Sequence, residues 1–311
     1  MLEPLGHVAS YLSYLLHRRR RNGDDATTVA QLAWPRARAL PPGLSLTWLG
    51  TAGFSLAYQG HVLLLDPYLT RLSLTDLLRR RTITADERAL GRHVERADAI
   101  LVSHTHFDHA LDVPALARRT GCQAYGSTSL ARLMGLHGLE PQAIVVEPHR
   151  RYEVGPFRFH FVPSLHSKLV LGLAVPSGGE LSCEHLDELT PQAYRCGQVF
   201  AMHIEVAGLR FYHQSSCDLL DKEIKDRGVD YFLCGISGRS FTPHYVERIV
   251  RLVDPAVIVP THYDDFFRPL DAPAGFLPNV NVTQFAEEVH RAAPGVELRT
   301  LRLGETLSGP P

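Results

Sequence analysis

Ser103-His104-Thr105-His106-Phe107-Asp108-His109 follows directly on the apolar run Ala99-Ile100-Leu101-Val102 and reads as a ligand-rich turn delivered by a buried strand. Imidazole and carboxylate together are the donors that hold zinc, iron or manganese. Alternate side chains of an extended turn point the same way, so His104 and His106 converge on one ion while Asp108 and His109 can swing to a second. A His-rich surface loop without any ligand is the plainer alternative. It is disfavoured because three imidazoles and a carboxylate are costly to leave unpaired beside a core.

His104-x-His106-x-Asp108-His109 resembles the signature of the metallo-β-lactamase superfamily, and other residues stand in the order that family uses. Val62-Leu63-Leu64-Leu65-Asp66-Pro67 resembles its first motif, a buried strand ending in an aspartate that orients a ligand histidine from behind. His166, after Val162-Pro163-Ser164-Leu165, and His262, after Val257-Ile258-Val259-Pro260-Thr261, resemble the remaining ligand histidines. The resemblance implies the α/β class in its four-layer αβ/βα sandwich form. It also implies two divalent metal ions, zinc foremost and manganese or iron otherwise. His104, His106 and His166 would hold one, and Asp108, His109 and His262 the other. A hydroxide between the ions would attack a phosphodiester, a lactone or a related ester.

Leu46-Thr47-Trp48-Leu49-Gly50-Thr51-Ala52-Gly53-Phe54-Ser55-Leu56, with His61 and the turn Asp66-Pro67-Tyr68, narrows the resemblance. It is similar to the branch holding the ascorbate-6-phosphate lactonases and the N-acyl phosphatidylethanolamine phospholipases D, over roughly residues 44–303. Such a likeness speaks for fold and metal and leaves the substrate open.

The fourth motif departs from the family pattern. Where the family has Gly-Asp-Thr, with an aspartate bridging both ions, strand Leu209-Arg210-Phe211-Tyr212-His213 runs into Gln214-Ser215-Ser216-Cys217-Asp218. Ser216 takes the place of the bridging carboxylate. Asp218 either reaches in as a displaced ligand or caps a helix over 218–226. Cys217 is a further metal ligand or a buried, inert thiol. A site with fewer anions is expected to hold its second ion weakly, and a metal-binding protein that has lost hydrolysis is the alternative outcome.

Other residues near these motifs suit catalysis or binding. His213, His244 and Tyr263 are candidates to protonate a leaving group, beside Asp108 in the cluster itself. Arg239 in Gly238-Arg239-Ser240 suits a phosphate or carboxylate through its fork, or a surface ion pair. Tyr263 is also a candidate substrate contact, and Tyr68, Phe241, Phe266 and Phe267 are candidates for an apolar wall. The long stretch Leu173–Arg195 is expected to form a rim over the site.

At 311 residues, 45% hydrophobic and 21% charged, the chain is long enough for a large core. Its net charge of -1 gives no reason to expect nucleic acid. Five scattered cysteines without pairing suggest a reducing, cytoplasmic setting. Residues 1–43 read as a helical and irregular extension, and 44–311 as the hydrolase domain. Within the extension, His7–Leu16 is too short to span a bilayer. Followed by His17-Arg18-Arg19-Arg20-Arg21, it is either a helix packed on the domain or a peripheral membrane contact through residues 7–21. Asn22-Gly23-Asp24-Asp25 and the proline-rich 34–43 stretch read as an irregular connection. A small-molecule or lipid substrate and a homo-oligomer are expected. Strands are predicted at 45–49, 54–58, 61–65, 99–102, 123–126, 143–146, 157–162, 198–206, 209–213, 230–234 and 256–260. Helices are predicted near 128–136, 218–226, 243–253 and 282–292.

Overall fold

The computed structural model describes residues 4–34, 40–169 and 173–309. β1 (Ser45–Gly50), β2 (Gly53–Tyr58) and β3 (His61–Leu65) form an antiparallel meander, which β4 (Ala99–Leu101), β5 (Gln123–Gly126) and β6 (Ala143–Val145) extend in parallel. The second sheet holds β7 (Tyr152–Val154), β8 (Phe157–Leu165), β9 (Phe200–Val206), β10 (Leu209–Gln214), β11 (Asp218–Leu219), β12 (Tyr231–Gly235), β13 (Val257–Thr261) and β14 (Glu297–Leu298). Finally β15 (Thr306–Ser308) returns to pair with β1. Phe54, Leu56, Leu63 and Leu65 from the first sheet and Phe157, Phe159, Phe161 and Phe211 from the second are all essentially inaccessible. Each such side chain contributes about 1.5–3 kcal/mol by leaving water.

Parallel neighbours need a crossover, and helices supply it. After the leading helix α1 (Pro4–Gln31), α2 (Leu74–Arg79) and α3 (Glu87–His93) lie between β3 and β4, and α4 (Phe107–Ala110) and α5 (Val113–Thr120) between β4 and β5. α6 (Thr128–Leu136), α7 (Tyr245–Val253) and α8 (Val282–Ala292) complete the set. α7 buries Val246, Ile249 and Val253 at helical spacing and leaves Glu247 and Arg251 toward water. Helices outside two stacked sheets make the expected αβ/βα sandwich.

Two elements differ from the sequence reading. Asn22-Gly23-Asp24-Asp25 is not a loop: α1 runs through it to Gln31, with one non-helical residue at His17. Tertiary contacts override the turn-like composition here. Asp25 is buried and accepts hydrogen bonds from Thr283 N (2.9 Å) and Oγ1 (3.0 Å), and Tyr14 is buried as well. Part of the proline-rich connection, 35–39, lies outside the described residues. The expected helix over 218–226 is absent too. Asp218–Leu219 is the short strand β11, antiparallel to Ser164–Leu165, because the open edge of β8 recruits its backbone. Among the described residues, no helix is long and apolar enough to cross a membrane.

Two strand ends that serve the site carry strained backbone. Asp66 (φ 40°) and His262 (φ 58°) both take the left-handed conformation, which side chains other than glycine adopt only when their surroundings enforce it. A buried ion pair supplies part of that enforcement. Arg71 Nη1 lies 2.7 Å from Asp264 Oδ2, Thr51 N donates to Asp264 Oδ1 (2.8 Å), and His262 N donates to Thr51 O (2.8 Å). Gly50 makes room for this clamp: its φ is +90°, and a Cβ there would lie 1.7 Å from Arg71 Nη2.

Candidate metal centre

The turn after β4 and the loops after β8 and β13 bring six predicted ligands into two adjoining groups, His104/His106/His166 and Asp108/His109/His262. In each group, one donor atom per residue lies within 4.8 Å of the others. Hydrogen bonds select the donor atoms. His106 Nε2 donates to Pro176 O (2.9 Å), so its Nδ1 is left facing His104 Nε2 at 3.1 Å. His166 Nδ1 donates to Ser167 O (2.8 Å), freeing Nε2, while His104 Nδ1 sits 3.0 Å from Ser103 Oγ. In the second group Asp108 Oδ2 lies 3.3 Å from His262 Nε2 and 3.6 Å from His109 Nε2.

Asp66 stands behind this array as the sequence suggested. It is fully buried, accepts from Ser103 N and Oγ (both 2.7 Å), and lies 3.2 Å from His109 Nδ1 in an approach that is electrostatic rather than well aligned. Burial would raise its carboxyl, but the imidazoles of His109 and His213 outweigh that and hold it well below the usual carboxylate range. Asp108 behaves alike: burial opposes its charge, and His109 and His262 more than restore it.

The two groups differ in protonation. Burial, with neighbouring imidazoles adding to it, pushes His104 far down and His166 down to about 3, and burial also lowers His106. All three therefore present the neutral lone pair that a cation needs. His109 is shifted up, because Asp108 and Asp66 outweigh its burial. His262 Nδ1 is buried with no hydrogen-bond partner among the described residues. Neutral imidazoles, a charged buried carboxylate and oriented tautomers fit divalent metal ions at both positions.

Around the fourth motif the structure corrects the expectations. Asp218 joins neither ligand group: its carboxylate pairs with Arg248 Nη1 at 2.9 Å, and its backbone lies in β11, so it is no helix cap. Gln214 reshapes the turn: the two N–H groups of its Nε2 are shared among Ser164 Oγ, Ser216 O and Oγ, and Asp218 O, all at 2.9–3.0 Å. Gly235 allows the approach, since a Cβ there would lie 2.2 Å from Ser215 O. Ser216 Oγ is spent on Leu165 O (2.9 Å), and buried Cys217 Sγ donates to Gly235 O with its thiol pushed up by burial.

The metal groups open into a cavity of about 330 Å³. His106, Asp108, His166 and His262 form its floor, and Phe107, Phe266, Phe267, Leu277 and Tyr194 much of its wall. Pro176, Ser177, Pro191, Gln192 and Tyr194 come from the predicted rim, 173–195. No arginine or lysine lines it among the described residues. The proposed anion contact is engaged elsewhere: Arg239 is buried, with Nε 2.9 Å from Glu288 Oε2 and its other nitrogens donating to Val280 O and Asn281 O.

None of the three sequence-named acids reaches the cavity. His213 is sealed in the core, 3.0 Å from Asp66 Oδ2; His244 is exposed at the start of α7; Tyr263 Oη is held by Thr300 Oγ1 and Leu301 O. Tyr68 does not line the cavity but packs edge-on behind the wall residues Phe107 and Phe266, and Phe241 is not among the lining residues. Tyr194, missed because nothing local marks it, lines the cavity and has no hydrogen-bond partner for its hydroxyl among the described residues. Burial, with Asp112 nearby, pushes its phenol well up, so it keeps its proton.

The β-lactamase superfamily domain family matches residues 45–262. A protein named UPF0173 metal-dependent hydrolase from Cupriavidus taiwanensis is 30% identical over 224 residues, 70% of this chain and 73% of that one. Another of that name from Myxococcus xanthus is 28% identical over 253 residues, 78% and 77% of the two chains. Among solved structures, Igni18, a metallo hydrolase from Ignicoccus hospitalis, superposes with a TM-score of 0.52 at 20% identity, over 85% of this chain and 97% of that one. CmlA, a diiron β-hydroxylase from Streptomyces venezuelae, gives 0.56 at 15% identity, over 86% and 55%. These two likenesses show the fold, and their different chemistries on it mean that reactivity has to be argued from the site.

Proposed function

The chain belongs to the β-lactamase superfamily, and from that we propose that it is a metal-dependent hydrolase of uncharged or singly charged esters carrying an apolar group, a lactone, carboxylic ester or phosphodiester. The observation that carries the substrate class is the cavity wall, aromatic and aliphatic and without arginine or lysine among the described residues. A doubly charged phosphomonoester, such as a phosphorylated lactone, finds no arginine or lysine there among the described residues. His104, His106 and His166 would hold one ion, and Asp108, His109 and His262 the other. When bound, the ions lower the pKa of a water and polarise the scissile oxygen.

The chain's own groups do the rest. Asp108, charged and buried, would share the second ion with His109 and His262 and is placed to orient the attacking water. Asp66 keeps His109 turned toward the site. Tyr194 lines the cavity, and its protonated phenol is the candidate to donate a hydrogen bond to the substrate or leaving-group oxygen. Phe266 and Phe267 exclude water and seat the apolar group. The test is turnover by zinc- or manganese-loaded protein on matched neutral lactones, thioesters, phosphodiesters and phosphomonoesters. Turnover of the first three classes above the last is expected. Preference for phosphomonoesters, or no turnover on any, overturns the reading, and the second result points to a metal-binding protein without hydrolysis.

A specific surface favours a lipid-directed form of this reading. On α1, Val8, Tyr11, Leu12, Leu15 and Leu16 are exposed along one side, Leu16 by 82%, and Arg18–Arg21 follow. The groove beneath Val8, Tyr11 and Leu12 shares Leu169, Ser237 and Pro278 with the metal cavity, so an amphiphile held by α1 adjoins the site. Co-sedimentation with anionic vesicles, lost in Leu12→Ser/Leu15→Ser/Leu16→Ser, is expected. Equal partitioning of that variant excludes the contact.

A further inference from the structure

We propose that the chain carries another metal site, apart from the one described, on the outer face of the second sheet, where His160, His203 and Asp226 bind a borderline divalent cation such as zinc. Strand alternation separates the two sites. Phe159, Phe161, Met202, Ile204, Phe211 and His213 occupy the inward positions of β8, β9 and β10, and His213 touches Asp66 there. The residues between them point outward. Register aligns them in one row, since His160 and Tyr212 are both direct partners of His203 across neighbouring strands.

The loop 220–228 completes the group by laying Asp226 over this row. Its Oδ2 lies 2.8 Å from His160 Nε2, and the two imidazoles pack at 4.9 Å between ring centres. One donor atom from each of the three residues falls within 4.8 Å of the others. Two imidazoles and a carboxylate, with a further position open to water, are a familiar ligand set for zinc.

An independent observation points to a missing ligand. His203 is only 3% exposed, yet among the described residues its buried Nδ1 has no hydrogen-bond partner, and neither has the buried Tyr212 hydroxyl beside it. Buried polar atoms are seldom left so, and a bound ion with its water would satisfy both. A flanking pair, His149 Nε2 and Glu223 Oε2 at 2.8 Å, fastens the same loop to the sheet edge.

Such an ion would brace the reshaped fourth motif from behind. The loop that supplies Asp226 also carries Asp221, which holds Arg248 (2.6 Å) and Arg251 (2.9 Å) of α7, and Arg248 in turn holds Asp218. The role is structural and touches no group of the hydrolytic centre.

The test is zinc content of the folded full chain after dialysis against zinc alone, beside Asp226→Asn and His203→Gln. Each variant is expected to carry one equivalent less per chain than the parent, with turnover within twofold. Unchanged zinc content in both variants overturns the proposal. Asp226→Cys guards against a variant that loses zinc by misfolding. Its cobalt form is expected to show thiolate-to-metal charge-transfer absorption, which the parent lacks, and absence of that band in the folded variant also overturns it.

Discussion

The two ligand groups of the hydrolytic centre sit side by side but are built differently. His104, His106 and His166 are three neutral imidazoles, two of them fixed by backbone carbonyls at Pro176 and Ser167. Asp108, His109 and His262 include a carboxylate, and behind them stands a second buried one at Asp66. Among the described residues no carboxylate bridges the groups, because the turn after β10 offers Ser216, with its hydroxyl already committed to Leu165 O. One position is therefore preorganised by hydrogen bonds to neutral ligands, and the other depends on charge. Electrostatic changes should act unevenly on the two ions.

The strongest break in that comparison is Asp108→Asn. Turnover is expected to fall by more than about 100-fold, the upper end of what partners outside the ligand shell are worth, and one metal equivalent should be lost by mass analysis while the other stays. Tyr194→Phe is expected to lower kcat by roughly 100-fold with metal content and KM little changed, separating a proton donor from the ligand groups. Asp66→Asn should weaken the charged position by roughly 10- to 100-fold in a metal competition assay and leave the neutral one nearly untouched. Equal weakening at both positions would contradict the distinction drawn between them.

Ser216→Asp sharpens the comparison in the opposite sense. A carboxylate between the groups should tighten the second ion by about tenfold or more, read from competition with a chelator, unless Gln214 holds the turn too firmly for it to reach. The smallest effect is in pH. His104, His106 and His166 are depressed, so the unfolded chain binds protons that the folded one refuses. Stability of the metal-free protein thus climbs as pH rises to about 6.5 on their account and is flat above. His109 is raised and works the other way: its contribution is full below about 6.5 and is lost as pH passes its folded value. Loading the second ion must displace that proton, so its affinity should gain up to about tenfold per pH unit until the proton is gone. Calorimetry in buffers of different ionisation enthalpy reads the released proton directly.

The parts of this molecule legible from sequence are those in which neighbours along the chain decide the outcome. The cluster from His104 to His109, the strands at 61–65 and 99–101 and the helices 128–136 and 282–292 all follow from local pattern. Roles set by distant partners were hidden. Arg239 looks like an anion receptor until Glu288, Val280 and Asn281 are seen to occupy it. The helix expected over 218–226 had a good cap residue and acidic start, but an open strand edge captured its first residues. Arg71 and Asp264, which hold the His262 loop in its strained conformation, are far apart in the chain and carry no local mark. Tyr194 is named only by the cavity it lines.

The bond from His106 Nε2 to Pro176 O joins the rim to the metal ligands. Pro176 lies in the segment whose neighbours line the substrate cavity, so changing specificity by loop exchange is not independent of metal loading. A grafted rim that fails to present a carbonyl at that point frees His106 to rotate and select the other tautomer. Directed evolution of this protein toward new substrates should therefore retain Pro176 and its backbone path, and accumulate changes around Pro191 and Gln192 instead.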